Sequence, residues 1–197
     1  PSYFVFQKKN FTKAKLNRSI KMKKIKFPIV VKPTNEGSSI GVRICKNIQD
    51  LNKSSKSLFR KHFELIFEPY IGGQEIQVAV INGNPLGAIE LEPKRKFYDY
   101  KAKYSKAAKT KHIMPANLKR YKYREALRIA KKANDALGCK GITRSDFKFL
   151  NNKFYLLEIN TQPGMTNLSL VPEIADYKGI SFQNLVKKIL SNASLNK

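Results

Sequence analysis

Cysteine and histidine are nearly absent from this chain. Its 197 residues include two cysteines, Cys45 and Cys139, and two histidines, His62 and His112. Two thiols are too few for a disulfide framework or a zinc cluster, and they point to a reducing, cytoplasmic compartment. Two histidines exclude a His-rich metal site. Long apolar runs are lacking too. None approaches the roughly 18 residues of a spanning helix, so no membrane partner is expected. The first 30 residues are basic and broken by polar positions, without the apolar stretch of a signal peptide.

Acidic residues are also scarce: 14 Asp and Glu stand against 39 Lys and Arg, a net charge of +25. A basic surface of this size suits a phosphate-rich partner. The composition favours a blander origin. Of the cations 31 are Lys and 8 are Arg, whereas base-reading proteins favour the planar Arg fork. Asn, Ile, Phe and Tyr are abundant as well, as AT-biased codons would make them. Drift is therefore preferred, and no specific nucleic-acid partner is expected. A charged fraction of 27% beside 11% aromatics is not a disordered composition. The length allows one domain or two small ones around a buried core.

Along the chain the pattern is α+β. The opening residue is Pro1, and a piece of a longer protein is expected. Residues 1–6 read as a short strand and 8–26 as carrying a short helix that ends before Phe27-Pro28. IVVKP (29–33) is a β-branched strand, 34–41 a small-residue loop, 42–45 a returning strand, 47–61 a helix and 65–70 a buried strand. Gly72-Gly73 divides the chain into 1–71 and 72–197. Residues 75–81 and 86–91 form a hairpin around a turn at 82–85. Residues 94–117 are basic, aromatic and aperiodic, hence a long surface loop. Residues 119–137 make an amphipathic helix with Ala126, Leu127, Ala130, Ala133 and Leu137 on one side, stopped by Gly138. Two strands, 142–150 and 153–160, flank Asn151-Asn152. After a loop at 161–169, Phe182, Leu185, Val186, Ile189 and Leu190 mark a final helix.

Two constellations carry chemistry. Lys32 precedes the Gly/Ser loop 34–41, where backbone N–H groups can cradle phosphate oxygens; an ordinary turn reads the same way. The second is sharper. Arg144 and Asp146 lie two apart in one strand, and Glu158 and Asn160 two apart in the next, so each pair shares a face. A three-residue loop would set Asp146 opposite Glu158 and Arg144 opposite Asn160, whereas a two-residue loop would put the pairs on opposite faces. Converging carboxylate and carboxamide oxygens suit Mg²⁺; a cross-strand ion pair is the alternative. Glu158 interrupts an apolar stretch expected to be buried, where a carboxylate needs a partner. Glu68 and Glu75 flank the Gly-Gly hinge, placed to hydrogen-bond a nucleoside or simply to end strands. The run 94–111 is a solvated charge run or a lid whose cations meet phosphate.

In this order VVKPTNEGSSIGV, FEPYIGGQE, FYDYKAKY, GCKGITRSDF, FYLLEINTQPGMT and SLVP resemble the D-alanine–D-alanine ligase family over residues 1–190. The resemblance implies an ATP-grasp fold, with 1–71 as the smaller lid subdomain and 72–197 as the larger one bearing the metal and substrate site. It implies ATP-dependent ligation of two D-alanines through D-alanyl phosphate, for peptidoglycan synthesis. By carry-over, Lys32 and Lys103 reach ATP phosphates, Glu68 and the backbone near Ile71 meet adenine, and Glu75 meets ribose. Asp146, Glu158 and Asn160 bind two Mg²⁺ or Mn²⁺ ions. Arg144 and the Gly164 backbone stabilise the oxyanion, while Ser38, Tyr104, Ser169 and Leu170 line the D-alanine sites. A homodimer is implied for the full-length enzyme. The family's N-terminal domain is not among these residues, so the isolated chain is expected to be inactive. Lys101 stands where the family often has an acid, and Pro69 where many members have Lys. Another ATP-grasp carboxylate–amine ligase is the alternative, and Tyr104, Ser169 and Leu170 argue against it.

Overall fold

The β-branched and aromatic runs form two antiparallel sheets, and each Lys-rich stretch that turns helical lays a narrow apolar strip on one of them. The computed structural model describes residues 1–37, 39–93, 110–166, 168–191 and 193. Residues 1–71 form one compact unit, and the described residues from Gly72 onward form a second.

In the first unit the strands are β1 (Phe4–Gln7), β2 (Ile29–Pro33), β3 (Arg43–Cys45) and β4 (Glu64–Pro69), in the order β1-β4-β2-β3. Helices α1 (Lys13–Met22) and α2 (Ile48–Leu58) accompany them. The stretch 8–26 carries its short helix, as expected, over its middle. A 3₁₀ turn spans Lys8–Asn10, and α1 starts only where the Thr12 hydroxyl accepts from the Lys15 N–H at 3.2 Å. Asn47 caps α2 in the same way, accepting from Asp50 N–H at 2.9 Å. Period-two alternation sends Ile29, Val31, Leu65 and Phe67 into the core with Leu16 and Leu51. Phe4 stacks on Phe67 with ring centroids 5.0 Å apart. The other face carries Val30 and Lys32 of β2 beside Glu68 and Ile66 of β4.

In the second unit the strands are β5 (Gln74–Ile81), β6 (Asn84–Glu92), β7 (Lys111–Ile113), β8 (Ile142–Leu150) and β9 (Lys153–Asn160), ordered β7-β6-β5-β8-β9. The β5–β6 turn is Asn82-Gly83 alone, both with positive φ, so β6 begins earlier than expected. β7 corrects the reading of 94–117 as loop throughout: three residues pair with the edge of β6, too short a run to show periodicity. Helix α3 (Arg120–Ala136) covers one sheet face through Ala126 and Ala130 against Ile76, Val78, Val80 and Phe147. Its third buried residue is Asn134, which accepts from the Thr143 hydroxyl at 2.8 Å; Leu137 lies past the helix end and is exposed. A short helix, α4 (Leu170–Tyr177), lies in a stretch for which no element was expected, and its Pro172 sits in the first turn, which tolerates proline. Helix α5 (Phe182–Leu190) buries Leu185, while Phe182 and Leu190 at its ends stay exposed.

Candidate functional site

The β8–β9 hairpin positions the polar set by a route the sequence did not suggest. Its loop has two residues, not three: Asn151 and Asn152 both take positive φ, +50° and +61°, and Leu150 pairs with Lys153. That is the geometry of a primed turn, whose twist matches the strands. A regular ladder from this loop would set Leu157 opposite Asp146. Instead the register shifts between Asp146 and Phe147: Phe147 pairs with Leu156, Asp146 with Glu158, and Arg144 with Asn160. The bulge absorbs one residue, so both polar couples return to one face. The residues between Asp146 and Glu158 are odd in number, and loop or bulge must take up the odd one.

On that face the Arg144 guanidinium grips Asp146 with two bonds, Nε to Oδ1 at 2.7 Å and Nη2 to Oδ2 at 2.9 Å. Asp146 is buried, at 6% exposure, and the bidentate fork offsets the desolvation of its charge. Glu158 lies open to solvent, contrary to the expectation that its neighbours bury it, because β9 is a sheet edge. Asn160 Oδ1 accepts from the Gln162 N–H at 3.0 Å, which holds the carboxamide at the start of the following loop.

Each carboxylate read as a nucleoside contact is held by a lysine. In the first unit Lys32 Nζ lies 2.7 Å from Glu68 Oε1, across adjacent strands. In the second, Lys148 donates to Glu75 Oε2 at 2.9 Å, the two being direct partners in the β5–β8 ladder. Lys148 was passed over, although its place two residues after Asp146 puts it on the same face. Ile71 is half-buried in the coil after β4. Gly41, at φ +73°, folds the 34–41 loop back so closely that a Cβ there would meet Pro33 Cδ at 2.8 Å.

After β9, a side chain at Gly164 would come within 2.8 Å of Ser169 Oγ. That hydroxyl accepts from the Thr166 N–H at 2.9 Å, and Leu170 beside it is buried. Ser38, Lys103 and Tyr104 lie outside the described residues. A groove of about 570 Å³ runs along Lys140, Ile142, Pro163, Met165 and Ile189, but none of the polar set lines it.

Among the described residues no three His, Cys, Asp or Glu side chains gather as a metal cluster. The hard-oxygen set of Asp146, Glu158 and Asn160 nevertheless suits a divalent cation that keeps part of its water and shares substrate phosphates. Gln77, opposite Asp146 in the ladder, adds a buried side-chain oxygen without a hydrogen-bond partner among the described residues, which an ion's hydration shell would satisfy.

Residues 1–191 match the family model described as D-ala D-ala ligase C-terminus. The chain is 56% identical to the D-alanine–D-alanine ligase of Pelagibacter ubique, over all of this chain and 64% of that protein. It is 47% identical to that of Geotalea uraniireducens, over 86% of this chain and 54% of that one. The chain thus spans between about half and two-thirds of these relatives. The crystal structure of D-alanine–D-alanine ligase from Bacillus anthracis complexed with ATP superposes with a TM-score of 0.80 at 26% identity, covering 98% of this chain and 59% of that one. The VanG D-Ala:D-Ser ligase of Enterococcus faecalis gives 0.82 at 27% identity, over 97% and 56%.

Proposed function

Since the chain belongs to the D-alanine–D-alanine ligase family and has its ATP-grasp fold, we propose that it serves the ATP-dependent joining of two D-alanines into D-alanyl-D-alanine. The observation that carries this reading is the bulge-set register that turns Arg144, Asp146, Glu158 and Asn160 to one face. In it, Lys32 and Lys103 hold ATP phosphates, Glu68 and the Ile71 backbone meet adenine, and Glu75, steadied by Lys148, meets ribose. Asp146, Glu158 and Asn160 hold two Mg²⁺ or Mn²⁺ ions, which supply charge neutralisation to the transferring phosphoryl group.

The γ-phosphoryl group passes to the carboxylate of the first D-alanine. The amine of the second attacks the resulting acyl phosphate, and phosphate leaves. Asp146 fixes the plane of the Arg144 guanidinium, so its donors are preorganised for the oxyanion that develops in that attack. The Gly164 N–H aids it, Ser38 and Tyr104 orient the first D-alanine, and Ser169 and Leu170 line the second site. The product suits peptidoglycan synthesis, the ATP supply a cytoplasmic setting, and a homodimer is the assembly we expect. No helix among the described residues is long and apolar enough to cross a membrane.

The test, run on the full-length protein, is phosphate release from ATP with D-alanine titrated, the dipeptide being weighed by mass spectrometry. D-alanine-dependent release with D-alanyl-D-alanine as product supports the reading; ATP turnover that needs a different acid or amine overturns it. The D-Ala:D-Ser neighbour favours one variant reading, D-serine as second substrate, which the same assay settles by competing the two amines.

A further inference from the structure

Gln77 sits in the middle of β5 at 1% exposure, and among the described residues its Oε1 has no hydrogen-bond partner. Its ladder partners are Ile89 on one side and Asp146 on the other. The side chain therefore lies on the sheet face that carries Asp146 and Glu158, not on the face covered by α3. The neighbouring positions Val78, Ala79 and Val80 are apolar and fully buried, so the strand accommodates aliphatic residues here. A carboxamide whose oxygen is left dry is a cost that an aliphatic residue would avoid.

Among the described residues no donor reaches that oxygen: on this face the Arg144 guanidinium is turned to Asp146 and the Lys148 ammonium to Glu75. The nearest register partner, Asp146, is an acceptor, and both its oxygens already take bonds from Arg144. Glu158 is an acceptor as well, and Asn160 Oδ1 is already accepting from the backbone. The Ser145 hydroxyl is also unpartnered, but it points to the α3 side beside Val78 and can turn its own proton. An amide oxygen can only accept. With Asp146, Glu158 and Asn160 Oδ1 it adds one more oxygen acceptor to this face, and such oxygens suit a hydrated cation, whose waters direct hydrogens outward.

We propose that Gln77 is a positioning residue of the cation site: its Oε1 accepts a hydrogen bond from a water on the divalent ion held by Asp146 and Glu158. This rests on the metal assignment under Proposed function. Partners one step beyond the ligands typically change metal affinity about 10–100-fold, and Gln77 acts through one water, so the lower end applies.

The test uses Mn²⁺ as probe, its binding read by electron paramagnetic resonance in the presence of ATP, together with thermal melting without metal. Gln77→Leu should weaken Mn²⁺ about tenfold while the metal-free melting temperature stays level or rises. Gln77→Glu, which restores an acceptor, should bind at least as tightly as the native protein. Glu158→Gln, an exposed change that leaves the core alone, checks the metal assignment itself. If Glu158→Gln leaves Mn²⁺ binding intact, that assignment fails. If Glu158→Gln weakens binding but Gln77→Leu does not, only the role of Gln77 fails. A Gln77→Leu protein that melts lower yet binds Mn²⁺ normally shows a structural amide and overturns the proposal. Should Gln77→Leu not fold, Gln77→Met, also without an acceptor, replaces it under the same criteria.

Discussion

Both units bury a carboxylate against a cation on a sheet face, opposite α1 and α2 in the first and opposite α3 in the second, yet they build the pair differently. In the first, Lys32 and Glu68 come from neighbouring strands and share one contact at 2.7 Å. In the second, Arg144 and Asp146 lie two apart on one strand and share two bonds. A cross-strand pair depends on the register of β2 with β4, and the lysine keeps its rotational freedom. A same-strand fork is set by the pleat itself and survives changes of register, and its planar geometry holds the guanidinium still. The mobile point charge suits a group that must meet a phosphate. The fixed fork suits one that must already be aimed when charge develops.

The largest effect should come from Arg144→Ala. It strands a buried carboxylate, and denaturant unfolding should show a loss of about 3–5 kcal/mol. In the ligation assay of the full-length protein turnover should fall about a hundredfold or more, with ATP affinity changed far less. Lys restores the charge without the fork, so Arg144→Lys should recover stability better than turnover. Nucleotide affinity collapsing while turnover at saturation held would reverse the contrast between the two pairs.

Lys32→Met should cost less stability, roughly 1–2 kcal/mol, because Glu68 loses one contact where Asp146 would lose two. Its main effect should fall on ATP affinity, measured by calorimetric titration. A larger stability loss than for Arg144→Ala would mean that the cross-strand pair is the stronger one.

Alkaline pH separates the units by another route. Burial raises the Cys45 thiol above its ordinary 9.0, and burial likewise raises the Tyr123 hydroxyl above 10.0. Each folded form thus keeps its proton longer than the unfolded chain. The stability each lends is full below the unfolded pKa and drains as pH rises above it, at up to about 1.4 kcal/mol per pH unit. The first unit should weaken from near pH 9 and the second from near pH 10. Cys45→Ala should flatten the earlier loss and Tyr123→Phe the later one, read by hydrogen exchange unit by unit.

The smallest effect is expected at the hairpin turn. Asn152 holds φ +61°, and glycine takes that conformation more cheaply. Asn152→Gly should raise stability by a few tenths of a kcal/mol and leave Mn²⁺ binding unchanged, since the bulge, not the turn residue, sets the register at Asp146.

Several features were legible in the residues alone. β-Branched and apolar runs marked β2, β5, β8 and β9, and the i, i+2 spacing of Arg144 with Asp146 and of Glu158 with Asn160 already put each pair on one face. The ordered motifs pointed to the family, because those residues lie close together along the chain. What the sequence left open was how separate segments meet. It offered a three-residue loop to align the two couples; the structure reaches the same alignment with a two-residue turn and a bulge at Leu157, since turn twist outweighed ladder regularity. It read Glu158 as buried from its apolar neighbours, but β9 is an edge, and which strand ends a sheet is settled by the whole topology. Lys148 against Glu75, Lys32 against Glu68 and Gln77 beside Asp146 are cross-strand neighbours. Their contacts depend on strand order and register, and those are set only when the sheets assemble.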